Sequence, residues 1–335
     1  MNFHGSKVRS PHLGRLHLYG TGRKQHSCQK AGLQTAGPEG FRAAGRRKRH
    51  DGKKDSLKKS KPLLSLQLGQ AMQYTFLTLT KKLNGVILLK TISFINLKGG
   101  VGKTTVSVNL AYFLAEKLNA KVLFIDNDKQ GNASQFFEAD TDLSLADLLM
   151  QAAATADVVK KTRYKNIDII PADMSLASAN FAVLQNTEIE QHKILDKALT
   201  SVQNSYDICI IDNPPDINLS VLNALIVTDE IIVVTVPDEY SGHGIDEMKN
   251  QIQLAKQYNP NLIYRGCVFN KMSGSSTSLY YRGLIEENHP IFHTSLHYSK
   301  DWLNTTTQKK LSIFELSPRC RFARDMKNFI AELLR

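Results

Sequence analysis

The stretch that most constrains this chain of 335 residues reads KGGVGKTT, at positions 98–105. An apolar segment at 91–97 precedes it, and a helix-like run follows it to about residue 118. Glycines between a strand and a helix let backbone N–H groups close around phosphate oxygens at the helix N-terminus. The stretch therefore predicts a phosphate-binding loop at one edge of an α/β sheet.

Short segments rich in Val and Ile alternate with helix-sized segments along the rest of the chain. We expect strands at residues 91–97, 121–126, 166–173, 207–212, 230–236 and 262–270, and helices at about 188–204, 219–228, 242–257 and 276–288. Such alternation is typical of a parallel sheet covered on both faces. The predicted fold class is α/β, a doubly wound and mostly parallel sheet with helices on both faces.

The net charge of +12 is distributed unevenly. Residues 1–90 hold 19 Lys and Arg against 3 Asp and Glu, whereas the remaining residues hold 24 against 28. The basicity therefore belongs to the N-terminal part and says nothing about the domain that carries the loop. We divide the chain into a basic, disordered leader at 1–88 and a folded domain at 89–335.

Three interpretations of the leader remain open. It could be a basic arm that binds DNA, or an organellar transit peptide, since both are rich in Arg and poor in acidic residues. A third interpretation is upstream sequence translated from a start site set too early. The abrupt start of the folded pattern favours this third interpretation, and Leu89 could be encoded by TTG, a bacterial initiator codon.

The cysteines and the apolar runs narrow the class of protein further. Cys28, Cys209, Cys267 and Cys320 show neither CxxC spacing nor a Cys/His cluster, which argues against a zinc site and fits a reducing compartment. No apolar run approaches the roughly 18–20 residues that span a bilayer. We expect a cytoplasmic protein.

The loop departs from the usual phosphate-binding pattern at two points. The pattern G-x-x-x-x-G-K-[ST] fails at its first position, Leu97. Lys103 still stands where a lysine pairs with β- and γ-phosphates, the Thr104 hydroxyl can ligate Mg²⁺, and Thr105 is expected to reach the α-phosphate. The second departure is Lys98, an additional lysine. The expected phosphate-binding set is Gly99, Gly100, Val101, Gly102, Lys103, Thr104 and Thr105.

The motif KGGVGKTT resembles the deviant Walker A motif of the ParA/MinD/NifH group of P-loop ATPases. Two further stretches resemble the ParA branch, VLFIDNDKQGNAS at 122–134 and YDICIIDNPPDINLSVLNAL at 206–225. VPDEY at 236–240 and SIFEL at 312–316 also fit. The resemblance covers about residues 91–335, and it departs at Lys129, where proline is usual.

This resemblance implies roles for individual residues. Asp212 would hold Mg²⁺, through water, and Asp126 would orient the attacking water. Asp128 would support the metal site or a dimer contact. Asn270 would read the adenine edge, and Pro237 would flank the base. Some of these roles have a structural alternative. Asp126 and Asp128 could simply be polar caps at the end of a strand, and Asn270 could be a turn-forming asparagine.

Within the resemblance, Lys98 is the signature lysine, which reaches across a face-to-face homodimer to phosphates bound by the partner. A cation supplied in trans makes ATP part of the interface, so that ATP stabilises the dimer and hydrolysis weakens it. The implied catalytic set is Lys98, Lys103 and Asp126, and the implied cofactors are ATP and Mg²⁺.

The ParA branch partitions plasmids and chromosomes. Its ATP-bound dimer binds DNA without sequence preference, and a ParB-like centromere-binding protein stimulates its slow hydrolysis. We expect the same of this chain, in association with the nucleoid. Residues 300–335 carry eight basic and four acidic side chains, so they are a candidate DNA surface or simply a solvated basic face. The candidate contacts are Lys300, Lys309, Lys310, Arg319 and Arg321.

Other functions within the same group predict different sequence features. The apolar face of the last helix could lie on a membrane, as in the MinD branch of positioning ATPases, although such a stripe more often packs on the sheet. The residues of that face are Phe322, Met326, Phe329, Ile330 and Leu333. A NifH-like reductase would need cluster cysteines after the second and third motifs, and the cysteines lie elsewhere. The presence of Lys103, Asp126 and Asp212 argues against an adaptor that binds nucleotide without hydrolysing it.

Overall fold

The computed structural model describes residues 89–335, together with Met72, Lys82–Leu83 and Val86–Ile87. Strands β1 (Lys82–Leu83) and β2 (Val86–Ile87) pair with each other in antiparallel orientation. Met72 is buried in the hydrophobic core. The rest of the predicted leader at 1–88 lies outside the described residues, so its three interpretations stay predictions.

One eight-stranded sheet forms the centre of the described domain. Its strands are β3 (Lys90–Ile95), β4 (Val122–Asp126), β5 (Lys160–Lys161), β6 (Ile167–Ile170), β7 (Ile208–Asp212), β8 (Glu230–Thr235), β9 (Ile263–Met272) and β10 (Ile291–His297). They lie in the order β10–β9–β8–β3–β7–β4–β6–β5, and every neighbouring pair is parallel except β5 with β6. The predicted mostly parallel sheet is confirmed.

Helices follow most strands. They are α1 (Lys103–Leu118), α2 (Asn132–Phe137), α3 (Leu145–Leu149), α4 (Thr155–Val158), α5 (Ser175–Gln185), α6 (Ile194–Val202), α7 (Leu219–Val227), α8 (Ser241–Ala255), α9 (Ser276–Asn288), α10 (Lys300–Lys309), α11 (Ile313–Leu316) and α12 (Arg321–Leu333). The helices expected after the loop, near 188–204, at 219–228, 242–257 and 276–288, and at the C-terminus are all present. Helices α2–α5, α10 and α11 were not predicted from the sequence.

Successive side chains of a strand point to opposite faces of the sheet. Because the central strands are apolar on both faces, each face is covered by a layer of helices. Phe94 and Phe124 pack in one cluster with side chains of α1 and α12. Ile125, which follows Phe124, packs in a second cluster with α6, and Ile95 packs in a third with α7 and α8. The expectation of helices on both faces is confirmed.

The last helix packs on the sheet along its whole apolar face. Phe322, Met326, Phe329 and Ile330 are 0% exposed and Leu333 is 3% exposed. The Phe329 ring meets the edge of the Phe292 ring on β10, with centroids 4.9 Å apart. Core packing, the outcome expected for this stripe, is confirmed, so α12 has no apolar face left for a membrane surface.

Helices of the described part of the chain are all too short or too polar to cross a bilayer.

Substituting Phe329 tests the role of α12 directly. Phe329→Ala should lower the free energy of unfolding by about 3–5 kcal/mol, because it removes a buried aromatic ring and leaves a cavity. The exposed neighbour Asn328 provides the matched control, and Asn328→Ala should change that free energy by less than about 0.5 kcal/mol. Chemical denaturation of both variants measures the difference. Equal stability of the two variants would show that α12 is not part of the core.

Candidate functional site

The loop at 98–102 takes a conformation that needs glycine. Gly100 and Gly102 have φ angles of 70° and 95°, in the left-handed region that other residues rarely adopt. A Cβ atom on Gly102 would lie 2.2 Å from the Asn270 side-chain nitrogen, so this position also lacks room. Gly102 is the N-cap of α1, which places the loop at a helix N-terminus as the motif predicts.

Lys103 lies beneath the loop. It is 7% exposed, and its Nζ donates a hydrogen bond to the carbonyl oxygen of Asn96 at 3.0 Å. Burial lowers the pKa of Lys103, while the nearby carboxylates of Asp212, Asp128 and Asp216 oppose that shift. A buried ammonium group beside a glycine loop at a helix N-terminus suits a polyanionic ligand.

Asp126 and Asp212 end the neighbouring strands β4 and β7 and lie directly opposite each other. They are 0% and 1% exposed. Burial raises the pKa of Asp212 to about 8 and that of Asp126 to about 6, because little water remains to stabilise the charged forms. Their proximity raises the pKa of Asp212 further. Two buried carboxyl groups side by side form a site that a cation would stabilise.

The same pair has the chemistry to hold Mg²⁺. The Thr104 hydroxyl donates to Asp212 Oδ2 at 2.5 Å, so the two predicted metal-ligating groups are adjacent. Asp212 Oδ1 is buried and lacks a hydrogen-bond partner within residues 89–335. Mg²⁺ prefers one or two protein oxygens together with water and phosphate oxygens. An orphaned carboxylate oxygen beside a hydroxyl fits that ligand set.

Asp126 accepts hydrogen bonds on both of its carboxylate oxygens. Its Oδ2 accepts hydrogen bonds from the Ser134 backbone N–H at 2.7 Å and the Ser134 hydroxyl at 2.8 Å. Its Oδ1 accepts from the Asp128 backbone N–H at 3.2 Å. Asp128 itself is only half-buried, and its Oδ1 accepts from the Gln130 backbone N–H. The start of α2 therefore holds Asp126, and Asp128 is the more accessible carboxylate.

Several polar residues that join the strand ends were not singled out by the sequence analysis. Asn213 donates through its side chain to the Phe94 carbonyl at 3.1 Å, and Asn127 donates to the Asn213 side-chain oxygen at 2.9 Å. Asn96 donates through its side chain to the Val234 carbonyl at 2.7 Å. Each asparagine stands directly after a buried strand, which is the signal that would have found it. These bonds fix the ends of β3, β4, β7 and β8 at one edge.

Asn270 lies against the loop. Its side-chain nitrogen donates to the Val101 carbonyl at 2.8 Å, and it is 1% exposed. The neighbouring Lys271 donates through Nζ to the Gly100 carbonyl at 2.7 Å. Pro237, partly buried after β8, is the other residue predicted beside a base. The contacts of Asn270 and Lys271 tie the end of β9 to the phosphate loop. Contact of Asn270 and Pro237 with adenine stays a prediction.

The basic residues predicted to contact DNA are largely on the surface. Lys300, Lys309, Arg319 and Arg321 are exposed, and Arg321 lies 2.6 Å from His297 Nε2. Lys310 is partly buried and pairs with Glu138 at 3.2 Å, so its charge is partly neutralised. Four of the five candidate side chains therefore remain accessible.

Asp212 supplies a test of the cation site. Its pKa of about 8, against 3.8 for an ordinary carboxyl, means that the folded state binds this proton more tightly than the unfolded state. The resulting destabilisation is absent below pH 3.8, grows as pH rises and is complete above about pH 8. In EDTA, Asp212→Asn should therefore raise Tm at pH 8 and have little effect near pH 4.

Adding Mg²⁺ completes that experiment. Mg²⁺ should raise the Tm of the wild-type protein more than that of Asp212→Asn, because the ion compensates the buried charge. Asp216→Asn is the matched control, since Asp216 lies nearby with its side chain 45% exposed. A Tm difference between wild type and Asp212→Asn that does not change with pH would contradict the buried-charge interpretation.

Comparison with known proteins places this site in a family. A family model described as an AAA domain matches residues 89–264. The chain is 35% identical over 187 residues to the sporulation initiation inhibitor protein Soj of Bacillus subtilis, a match that covers 55% of this chain and 73% of Soj. It is 30% identical over 252 residues to a virulence plasmid ParA family protein of Chlamydia psittaci, covering 73% of this chain and 94% of that protein.

A solved structure shows the same fold. Cobyrinic acid a,c-diamide synthase from Mycobacterium smegmatis superposes with a TM-score of 0.64 and 22% sequence identity, covering 74% of this chain and 95% of the synthase. Its fold is shared, whereas the sequence matches lie with the ParA proteins. The glycine loop, the buried strand-end aspartates and these matches together show that the chain belongs to the ParA family of P-loop ATPases.

Proposed function

We propose that this chain is an ATP-dependent dimerising switch, a slow ATPase that binds DNA non-specifically and drives plasmid or chromosome partition with a ParB-like centromere-binding partner. The observation that carries the proposal is the placement of the two loop lysines. Lys103 lies buried beneath its own loop, whereas the Lys98 side chain is 34% exposed and turned to another strand end. Lys98 is thus not used beneath its own loop, which is what a lysine that engages the nucleotide of another subunit requires.

ATP and Mg²⁺ fit the loop and the carboxylate pair. Backbone N–H groups of 99–102 and Lys103 would bind the β- and γ-phosphates, and Thr104 and Asp212 would hold the metal. The related synthase structure contains an ATP analogue and magnesium in the same fold, which supports this assignment. Bound Mg²⁺ would neutralise charge on the transferred phosphoryl group.

Asp126, the last residue of β4, and Asp128, two residues later, have separate roles in the proposed hydrolysis. Hydrolysis needs a group that orients water in line with the γ-phosphate. Asp126 accepts hydrogen bonds from the backbone N–H and the hydroxyl of Ser134, so it is suited to fix the geometry of this strand end. Asp128, half-buried and on the same edge, is the better placed to contact water. We therefore assign positioning to Asp126 and water contact to Asp128.

Non-specific DNA binding is supported by the exposed cations of residues 300–335. Lys300 begins α10 just beyond the carboxyl end of β10, the edge that also carries the loop. A dimer formed across that edge would present two copies of each cation, and phosphate contacts add with the number of cations. A MinD-like positioning function at a membrane is the second candidate. It is disfavoured because the apolar face of α12 is buried.

The experiment that tests the switch is DNA binding by the full chain with ATP, with ADP and without nucleotide, across a salt series. Binding should be tight only with ATP and should weaken steeply as salt rises. Equal binding in all three states would defeat the proposal. Binding to anionic liposomes but not to DNA would favour the MinD-like alternative.

Charge variants sharpen that experiment. Replacing Lys300 and Arg319 together with alanine should weaken ATP-dependent binding to every DNA sequence alike. The slope of log binding constant against log salt concentration should also become shallower, by about 1 for each DNA phosphate contact that is lost. Lys117→Ala is the matched control, because this exposed lysine lies at the opposite end of α1 from the loop. An unchanged slope in the double variant would place the DNA surface elsewhere.

A further inference from the structure

The Lys98 side chain is held by a carboxylate outside its own loop. Its Nζ forms an ion pair with Asp238, just past the carboxyl end of β8, and lies 6.0 Å from the centroid of the Tyr240 ring. Lys103, five positions later, instead donates to the Asn96 carbonyl. One loop therefore carries two ammonium groups with two separate partners.

Further hydrogen bonds hold the Asp238 carboxylate and the Lys98 backbone. Asp238 Oδ1 accepts hydrogen bonds from the Ser241 hydroxyl at 2.8 Å and the Tyr240 backbone N–H at 3.2 Å, which leaves Oδ2 for Lys98. The Lys98 backbone N–H donates to the Asn96 side-chain oxygen at 2.8 Å. The Asp238 carboxylate is therefore oriented by its own loop, and the main cost of the pair is the conformational entropy of the Lys98 side chain.

Asp238 is also charged when the pair forms. Burial alone would raise its pKa, but hydrogen bonds from Lys98 and Ser241, together with the Lys98 charge, bring the pKa below the ordinary value. A carboxylate so held neutralises the ammonium that a second nucleotide would attract. The intramolecular contact and a phosphate contact therefore compete for the same charge.

We propose that Asp238 is a positioning residue that holds Lys98 in cis in the free subunit, and that this ion pair breaks when Lys98 engages phosphates bound by a second copy of the chain. This inference rests on the proposed ATP-dependent dimer and adds a regulator to it. Asp238 sets the threshold for dimerisation, since the subunit competent to dimerise is only the fraction in which Lys98 is released.

The size of the effect follows from the exposure of the pair. Both side chains are about one-third exposed, at 34% and 38%, so solvent screens the attraction. Release of a pair of this kind changes an equilibrium about threefold. A symmetric dimer needs two such releases, so removing the pair should tighten dimerisation about tenfold.

Asp238→Asn is the variant that tests this inference. Asparagine keeps the Oδ1 acceptor for Ser241 and Tyr240 but removes the charge that holds Lys98. With a non-hydrolysable ATP analogue and Mg²⁺, its dimer Kd should fall about tenfold below that of the wild-type protein. Monomer affinity for the analogue should not change. Sedimentation equilibrium and titration of a fluorescent analogue measure the two quantities.

Three companion variants separate positioning from a general effect of charge or folding. Glu239→Gln removes the same charge one residue away, on an exposed side chain, and should leave the dimer Kd unchanged. Asp238→Glu restores a carboxylate and should move the Kd back toward the wild-type value. Asp238→Ser keeps a side-chain oxygen that can accept a hydrogen bond from the Tyr240 backbone N–H, so it replaces the asparagine variant if that protein proves unstable.

The outcomes distinguish failure of this inference from failure of the proposed function. A wild-type protein that stays monomeric with the analogue would overturn the dimerising switch itself. A wild-type protein that dimerises, with Asp238→Asn and Asp238→Ser at an equal or weaker Kd, would overturn the role of Asp238. A tenfold tighter Kd that Glu239→Gln also shows would reduce the effect to net charge and likewise contradict positioning.

Discussion

Asp126 and Asp212 lie side by side at the carboxyl edge of the sheet, almost without solvent, with Lys103 as the buried cation near them. This arrangement is unfavourable without a compensating ligand, because burial raises the pKa of both carboxyl groups and lowers that of the ammonium. Hydrogen bonds from the surrounding residues hold the two carboxylates in place. Ser134 fixes one carboxylate, Thr104 fixes the other, and asparagines at 96, 127 and 213 join the strand ends.

The stability and geometry of such a site should depend strongly on whether a nucleotide is bound. A polyphosphate with its metal ion brings charges of both signs to the places where the free protein has uncompensated ones. Binding free energy is then coupled to the geometry of the loop and of the strand ends. We infer that the same edge responds to a second subunit, because Lys98 lies there and is not used beneath its own loop.

The central sheet could be predicted from the sequence because its strands are short, apolar and bounded by polar residues. The loop, Lys103 and Thr104 followed from the spacing of the motif, whereas the two strand-end aspartates were assigned through the resemblance to the ParA branch. β10 was missed because His, Thr and Ser interrupt its apolar pattern at the edge of the sheet, where only part of the strand is buried. Short helices such as α2 and α3 were missed because five or six residues carry too little periodicity.

Side-chain partners were beyond the reach of the sequence. Asn270 was expected at a base and lies against the Val101 carbonyl, a contact that depends on how closely β9 approaches the loop. The partner of Lys98 could not be predicted either, because Asp238 is 140 residues away and meets it only when β3 and β8 pair. Contacts of this kind are set by the register of neighbouring strands, which spacing within one segment does not encode.

A mixing experiment tests most directly whether Lys98 completes the site of another subunit. One chain carries Lys98→Ala, and the other carries Asp126→Asn together with Asp128→Asn; each alone should show only background ATP hydrolysis. In a mixed dimer, the first chain keeps both aspartates and receives Lys98 from the second. At a protein concentration high enough for all chains to pair at random, half of the dimers are mixed and each has one competent site, so an equal mixture should recover about a quarter of the wild-type rate. A mixture that stays at background, although the two chains associate, would contradict the account.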